Sequence, residues 1–115
     1  SPRLKIMDFT VGFILLFLHV ISLLLPVMLF FITLIFILGQ VVGRIEGWTT
    51  FNSFYWAFIT ALTVGYGDIH PIKKASRIIS LLIALLGIMF TGVIVAITIT
   101  TATEAFTQFG DPEAV

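Results

Sequence analysis

Residues 63–68 read Thr63-Val64-Gly65-Tyr66-Gly67-Asp68, and the fold follows from what flanks them. A run of L-residues in one uniform conformation points its carbonyls alternately to either side, whereas Gly65 and Gly67 reach positive φ without penalty. The stretch therefore reads as a loop able to turn successive carbonyls to one side, with Val64 and Tyr66 packed behind it. Just upstream, 51–62 reads as a helix capped by Thr49 or Thr50. At roughly 18 Å it is too short to cross a hydrocarbon core of about 30 Å. Downstream, Pro71 and the bases Lys73, Lys74 and Arg77 precede a charge-free run over 78–99, which is long enough to span.

The N-terminal side carries a longer apolar run, with no charged residue between Asp8 and Arg44. One helix over all of it would be about 50 Å long, too much for a single straight span. Two spans would need a turn near the middle, where Pro26 stands without a Gly, Asn or Asp cluster. The expectation is an interfacial or kinked segment over 1–20, opening with Arg3, Lys5 and Asp8, followed by one true span over 24–43. A signal-peptide reading of the first piece fails, because no small-residue cleavage site closes it. Gly39 and Gly43 form a G-x-x-x-G pair suited to packing against the short helix.

Composition names the solvent. Of 115 residues, 59% are hydrophobic and 10% charged, with 12 Phe, and the mean hydropathy is +1.17. A chain so apolar cannot cover itself in water, so its outer surface meets lipid and soluble-enzyme readings fall. Six basic residues balance six acidic ones, which leaves no electrostatic footprint for nucleic acid. There is no Cys, and His19 and His70 stand far apart without further ligands at metal spacing, so the residues offer neither a metal cluster nor a nucleophile with its base. The expected fold is all-α: two transmembrane helices flanking a re-entrant helix and a loop. Irregular backbone at that depth is tolerated only when buried in protein or lining a watery cavity.

The hexapeptide resembles the signature of potassium channels, whose Thr-Val-Gly-Tyr-Gly loops line a filter with backbone carbonyls. The similarity extends to Tyr55-Trp56-Ala57-Phe58-Ile59-Thr60-Ala61-Leu62 before it, Asp68-x-x-Pro71 after it and Gly87 beyond, covering roughly 39–105. It implies a pore domain over 21–115 of the two-transmembrane prokaryotic type: outer helix 24–43, pore helix 51–62, filter 63–68, inner helix 76–105. K+ would be held by the carbonyls of Thr63, Val64, Gly65 and Tyr66 and the Thr63 hydroxyl, with Gly67 completing the filter. No cofactor beyond K+ is implied. One chain supplies one wall, so the resemblance implies a homotetramer in a lipid bilayer.

Other roles carry over position by position. Tyr55, Trp56 and Asp68 match residues that support the filter. Ile59 stands where some bacterial relatives have a glutamate paired with the aspartate, so here Asp68 would be held by Tyr55 instead. Gly87 falls where inner helices bend to open, with Gly92 a second candidate bend; close helix packing is the other reading of Gly87. By register from Gly87, the cavity wall would comprise Ile88, Thr91, Val95, Ala96 and Ile99, mostly apolar as expected where a pore closes by dewetting. Glu104 is either a solvated helix end or a ring of acids at the inner mouth.

The resemblance places the filter facing outside the cell membrane and both termini in the cytoplasm. That leaves Arg44, Lys73, Lys74 and Arg77 outside, against the usual excess of basic residues within. No span has Arg or Lys at every third position, so gating would come from elsewhere, such as a cytoplasmic regulatory domain or subunit of the kind relatives carry; Gly110-Asp111-Pro112-Glu113-Ala114-Val115 reads only as a polar tail. Two rivals remain. A weakly selective cation channel would need a distorted filter, which intact Tyr66 argues against. A potassium transporter subunit would fuse four unequal repeats and keep little of the motif.

Overall fold

The structure, a computed structural model, describes residues 2–109. It is all-helical: α1 Pro2–Glu46, α2 Thr50–Ala61 and α3 Lys74–Phe109. Helices α1 and α3 are long and apolar enough to cross a membrane, and little of either is buried within the chain. The polar tail read over 110–115 lies outside the described residues.

Helix α1 differs from expectation in being unbroken through 20–24, with Pro26 inside it. Pro26 removes one backbone donor from the helix, a loss that membrane helices tolerate. Helix α3 starts two residues earlier and ends four residues later than 76–105.

The described residues divide into two compact units, one formed by residues 27–92 and the other by residues 2–26 and 93–109. The core of the first is Ile35, Val42, Trp56, Ala57, Ala61 and Ile83. Small residues let the backbones approach. A Cβ on Gly39 would meet that of Ala57, and one on Gly43 would strike the Ser53 hydroxyl, so the glycine pair of α1 seats α2, as its spacing suggested. A Cβ on Gly87 would run into the backbone of Ala61. Three elements thus meet over glycine at two levels.

In the second unit, Ile97, Thr101 and Ala105 form a buried stripe on α3. Gly12 of α1 accommodates the Phe109 ring. Phe9, Phe13 and Phe17 stack along α1 at centroid distances of 6.5 and 6.0 Å. The Thr101 hydroxyl is buried without a hydrogen-bond partner.

Candidate functional site

Thr49 begins α2 as its cap: the Thr49 hydroxyl accepts the Asn52 N–H at 3.1 Å, satisfying one of the free donors of the first turn. At the other end the chain leaves α2 through a closed hydrogen-bond pattern. Thr63 N–H donates to Thr60 O at 3.1 Å, and Val64 N–H and Gly65 N–H both donate to Ile59 O, at 3.0 and 3.1 Å. This is the Schellman closure, whose turning residue is left-handed. Here that residue is Thr63, at φ +64, and Gly65 and Gly67 follow at +55 and +80.

Positive φ at every second residue of 63–67 is the alternation that the two glycines announced, extended by one residue. Thr63 is the only non-glycine with positive φ among the described residues. For a β-branched residue this is costly, of order 1–2 kcal/mol. Sequence reading missed it because a threonine carries no such signal.

The loop side chains do not pack behind the loop within the chain. Tyr66 is 70% exposed, Val64 48% and Leu62 47%. Behind the loop lies instead a cavity of about 160 Å³, lined among others by Tyr55, Trp56, Ile59, Tyr66 and Asp68. Trp56 is buried and meets Trp48 edge to face at 5.2 Å, which fixes the α2 face carrying Tyr55. The Tyr55 hydroxyl donates to Asp68 Oδ2 at 3.1 Å. Ile59, in place of a carboxylate, leaves Asp68 without an acidic neighbour there.

Past Asp68, the His70 ring Nδ1 lies 3.2 Å from Gly67 O, and Arg77 Nε donates to Pro71 O at 3.3 Å. Glu46 is a residue whose role sequence reading did not find. Ile72 N–H donates to its Oε1 at 2.8 Å, while Lys73 N–H and the Ser76 hydroxyl donate to its Oε2 at 3.1 and 2.9 Å. Glu46 lies beyond the apolar span that ends at Gly43. The Ile72 amide, against the opposing pull of desolvation, then the Ser76 hydroxyl and the amide and charge of Lys73, hold its carboxyl below the ordinary value. These partners stand 26 to 30 residues away in sequence, so only the fold could bring them together.

The candidate bends differ from each other. Gly87 is buried against Ala61, while a Cβ added at Gly92 would meet nothing within 4 Å. Ile88, Thr91, Val95, Ala96 and Ile99 are all exposed.

Comparison with known proteins follows the same residues. A family model described as ion channel matches residues 9–104. The chain is 43% identical over 53 residues to TWiK family of potassium channels protein 7 of Caenorhabditis elegans, covering 46% of this chain and 10% of that one. It is 39% identical over 49 residues to open rectifier potassium channel protein 1 of Drosophila melanogaster, covering 43% and 5%. Against potassium voltage-gated channel subfamily A member 5 of Homo sapiens the identity is 42% over 38 residues, covering 33% and 6%. The aligned segment is thus a tenth or less of each of these relatives. No solved structure matches.

Proposed function

Because this chain belongs to the ion-channel family that it matches over residues 9–104, we propose that it is the pore unit of a potassium-selective channel, conducting K+ passively through the carbonyls of Thr63, Val64, Gly65 and Tyr66. The observation that carries this reading is the alternation of positive φ at Thr63, Gly65 and Gly67. Residues that alternate in handedness turn successive carbonyls to one side, and a column of such oxygens can replace the hydration shell of a cation. The names of the relatives, all potassium channels, support K+ as the ion.

Assembly follows from what one chain leaves uncovered. Leu62, Val64 and Tyr66 are exposed around the loop, and four copies about an axis would both complete the ion cage and cover them. The exposed face of Ile88, Thr91, Val95, Ala96 and Ile99 then lines the cavity. Gly67 completes the filter, and Tyr55, Trp56 and Asp68 brace it. Gly92, where an added Cβ would meet nothing within 4 Å, is the freer of the two bends. The filter faces outside the cell, and both termini lie in the cytoplasm.

The test is the reversal potential of the purified protein in a planar bilayer, with K+ on one side and Na+ on the other. A potential near the K+ limit, with block by barium, is expected. Clear unitary currents reversing near zero would overturn selectivity and leave the weakly selective cation channel. Absence of current from reconstituted protein would overturn the channel itself.

A further inference from the structure

Along α3, hydroxyls bond back onto the helix that carries them. Ser80 donates to Ser76 O at 2.8 Å, Thr98 to Ile94 O and Thr103 to Ile99 O at 2.9 Å, and Thr107 to Thr103 O at 3.0 Å. Thr101 breaks the pattern, although Ile97 O stands in the same relation to it, four residues back. It is fully buried, and its hydroxyl is the one buried side-chain polar atom without a hydrogen-bond partner among the described residues.

The surroundings say why this matters. Thr101 is the middle of the stripe Ile97, Thr101 and Ala105, whose spacing of four keeps it on one face of α3. The unit that holds the stripe consists of 2–26 of α1 and 93–109 of α3, and within it Gly12 receives the Phe109 ring. Burial is thus complete within one chain. Neither lipid, water nor a second copy reaches the Thr101 hydroxyl while the seam between these two segments stays shut. Val95 and Ile99 are exposed, and Ile99 lies about 200° around the helix from Thr101, on the face that the channel reading gives to the cavity.

A buried donor left unpaired carries its full desolvation cost, which water or a carbonyl would cancel. The Thr101 hydroxyl is therefore a standing bias against the shut seam. A turn of α3 against α1 that bares Thr101 moves Val95 and Ile99 off the cavity face by the same angle. An apolar constriction that closes by dewetting is relieved when its apolar side chains leave.

We propose that the seam between 2–26 and 93–109 is a two-position gate, shut as described here, whose open position is favoured by hydration of the Thr101 hydroxyl and is the one that conducts. The inference rests on the channel reading above and adds to it a residue that faces away from the pore. Thr101 touches no ion; it acts by setting how α3 sits on α1.

The test uses the full chain in lipid vesicles. Thr101→Val keeps the shape of the side chain and deletes the hydroxyl, so open probability in single-channel recording should fall about tenfold. Thr101→Ser keeps the hydroxyl and should open at least as often as the parent. An unchanged open probability in T101V, even with raised thermal stability, would reduce the hydroxyl to a packing defect and overturn the proposal. An equal fall in T101S would overturn it too. The chain has no cysteine of its own, so Thr101→Cys reports the seam without reference to current. A water-soluble thiol reagent should modify it in the folded protein, and complete protection until the protein is unfolded would mean that the seam does not open. If the parent passes no current, the channel reading falls, and the thiol reaction then decides alone whether the seam has two positions. Should T101V fail to fold, T101C takes its place in the recordings, since a thiol is only a weak donor.

Discussion

Helices α1 and α2 end in the same backbone closure built from different residues. At the end of α1, Gly47 takes φ +78 and Trp48 N–H returns to Gly43 O at 2.8 Å. At the end of α2, Thr63 takes φ +64 and Val64 N–H returns to Ile59 O at 3.0 Å. Glycine adopts this conformation freely, while threonine there costs about 1–2 kcal/mol. The chain follows the local rule where it only needs to turn, and breaks it at the threshold of the loop. Strain of this kind persists where surroundings over-determine it, and it marks positions kept for something other than stability. The surroundings differ accordingly: Gly47 stands in the open, whereas the last turn of α2 is backed by Gly87 against Ala61.

The largest effect expected comes from removing that backing. Gly87→Val would drive a side chain into the Ala61 backbone and destabilise the protein by about 3 kcal/mol, read as thermal unfolding in detergent. Gly92→Val, with open space around it, should stay within about 0.5 kcal/mol. Equal losses would break the contrast between a buttressed end and a free one.

Exchanging the two turning residues sharpens it next. Thr63→Gly relieves the Cβ strain and should stabilise by about 1 kcal/mol, yet lower unit conductance about tenfold by removing a hydroxyl ligand and freeing the loop. Gly47→Thr should do the reverse, costing about 1–2 kcal/mol with conductance unchanged. If Thr63→Gly channels conducted normally, the strain at Thr63 would have no functional meaning. A smaller effect is expected from Tyr55→Phe, which deletes the 3.1 Å bond to Asp68 and should speed current decay about threefold. Unchanged decay would remove Tyr55 from the bracing of the filter.

The smallest effect concerns pH. Hydrogen bonds hold the Glu46 carboxyl below its ordinary value, so its contribution to stability is fully present above the ordinary carboxylate range. It is lost as pH falls through the lowered native value, where the unfolded chain already binds the proton. Acid titration of thermal stability should show this loss in the parent and a flatter profile in E46Q.

Much of this is legible in the sequence. Gly65 and Gly67 gave the loop, and length with a threonine cap gave α2, which lies at Thr50–Ala61, one residue earlier than read. The Gly39 and Gly43 pair found its partner in Ser53 and Ala57, because close packing needs small residues at a spacing visible in one dimension. Three things could not be read. The left-handed Thr63 is set by hydrogen bonds to Ile59 and Thr60 that outweigh its own preference. Glu46 carries no signal of its role in the sequence, since two of its three donors are amides of a kind that nearly every residue possesses. The two uses of an inner-helix glycine, packing and bending, look alike in sequence, and only the presence of Ala61 beside Gly87 and of nothing beside Gly92 separates them.

Pro26 lies inside α1 without interrupting it. Lacking an N–H, it leaves the Ser22 carbonyl without the amide donor four residues on, and the Ser22 hydroxyl is turned to His19 O at 2.6 Å and does not fill the gap. One rung is thus missing from the ladder. The turn holds one hydrogen bond fewer than its neighbours, so the helix is less stiff there. When lipid thickness changes or a lateral load is applied, α1 yields first at Pro26, like a rod notched at one chosen point.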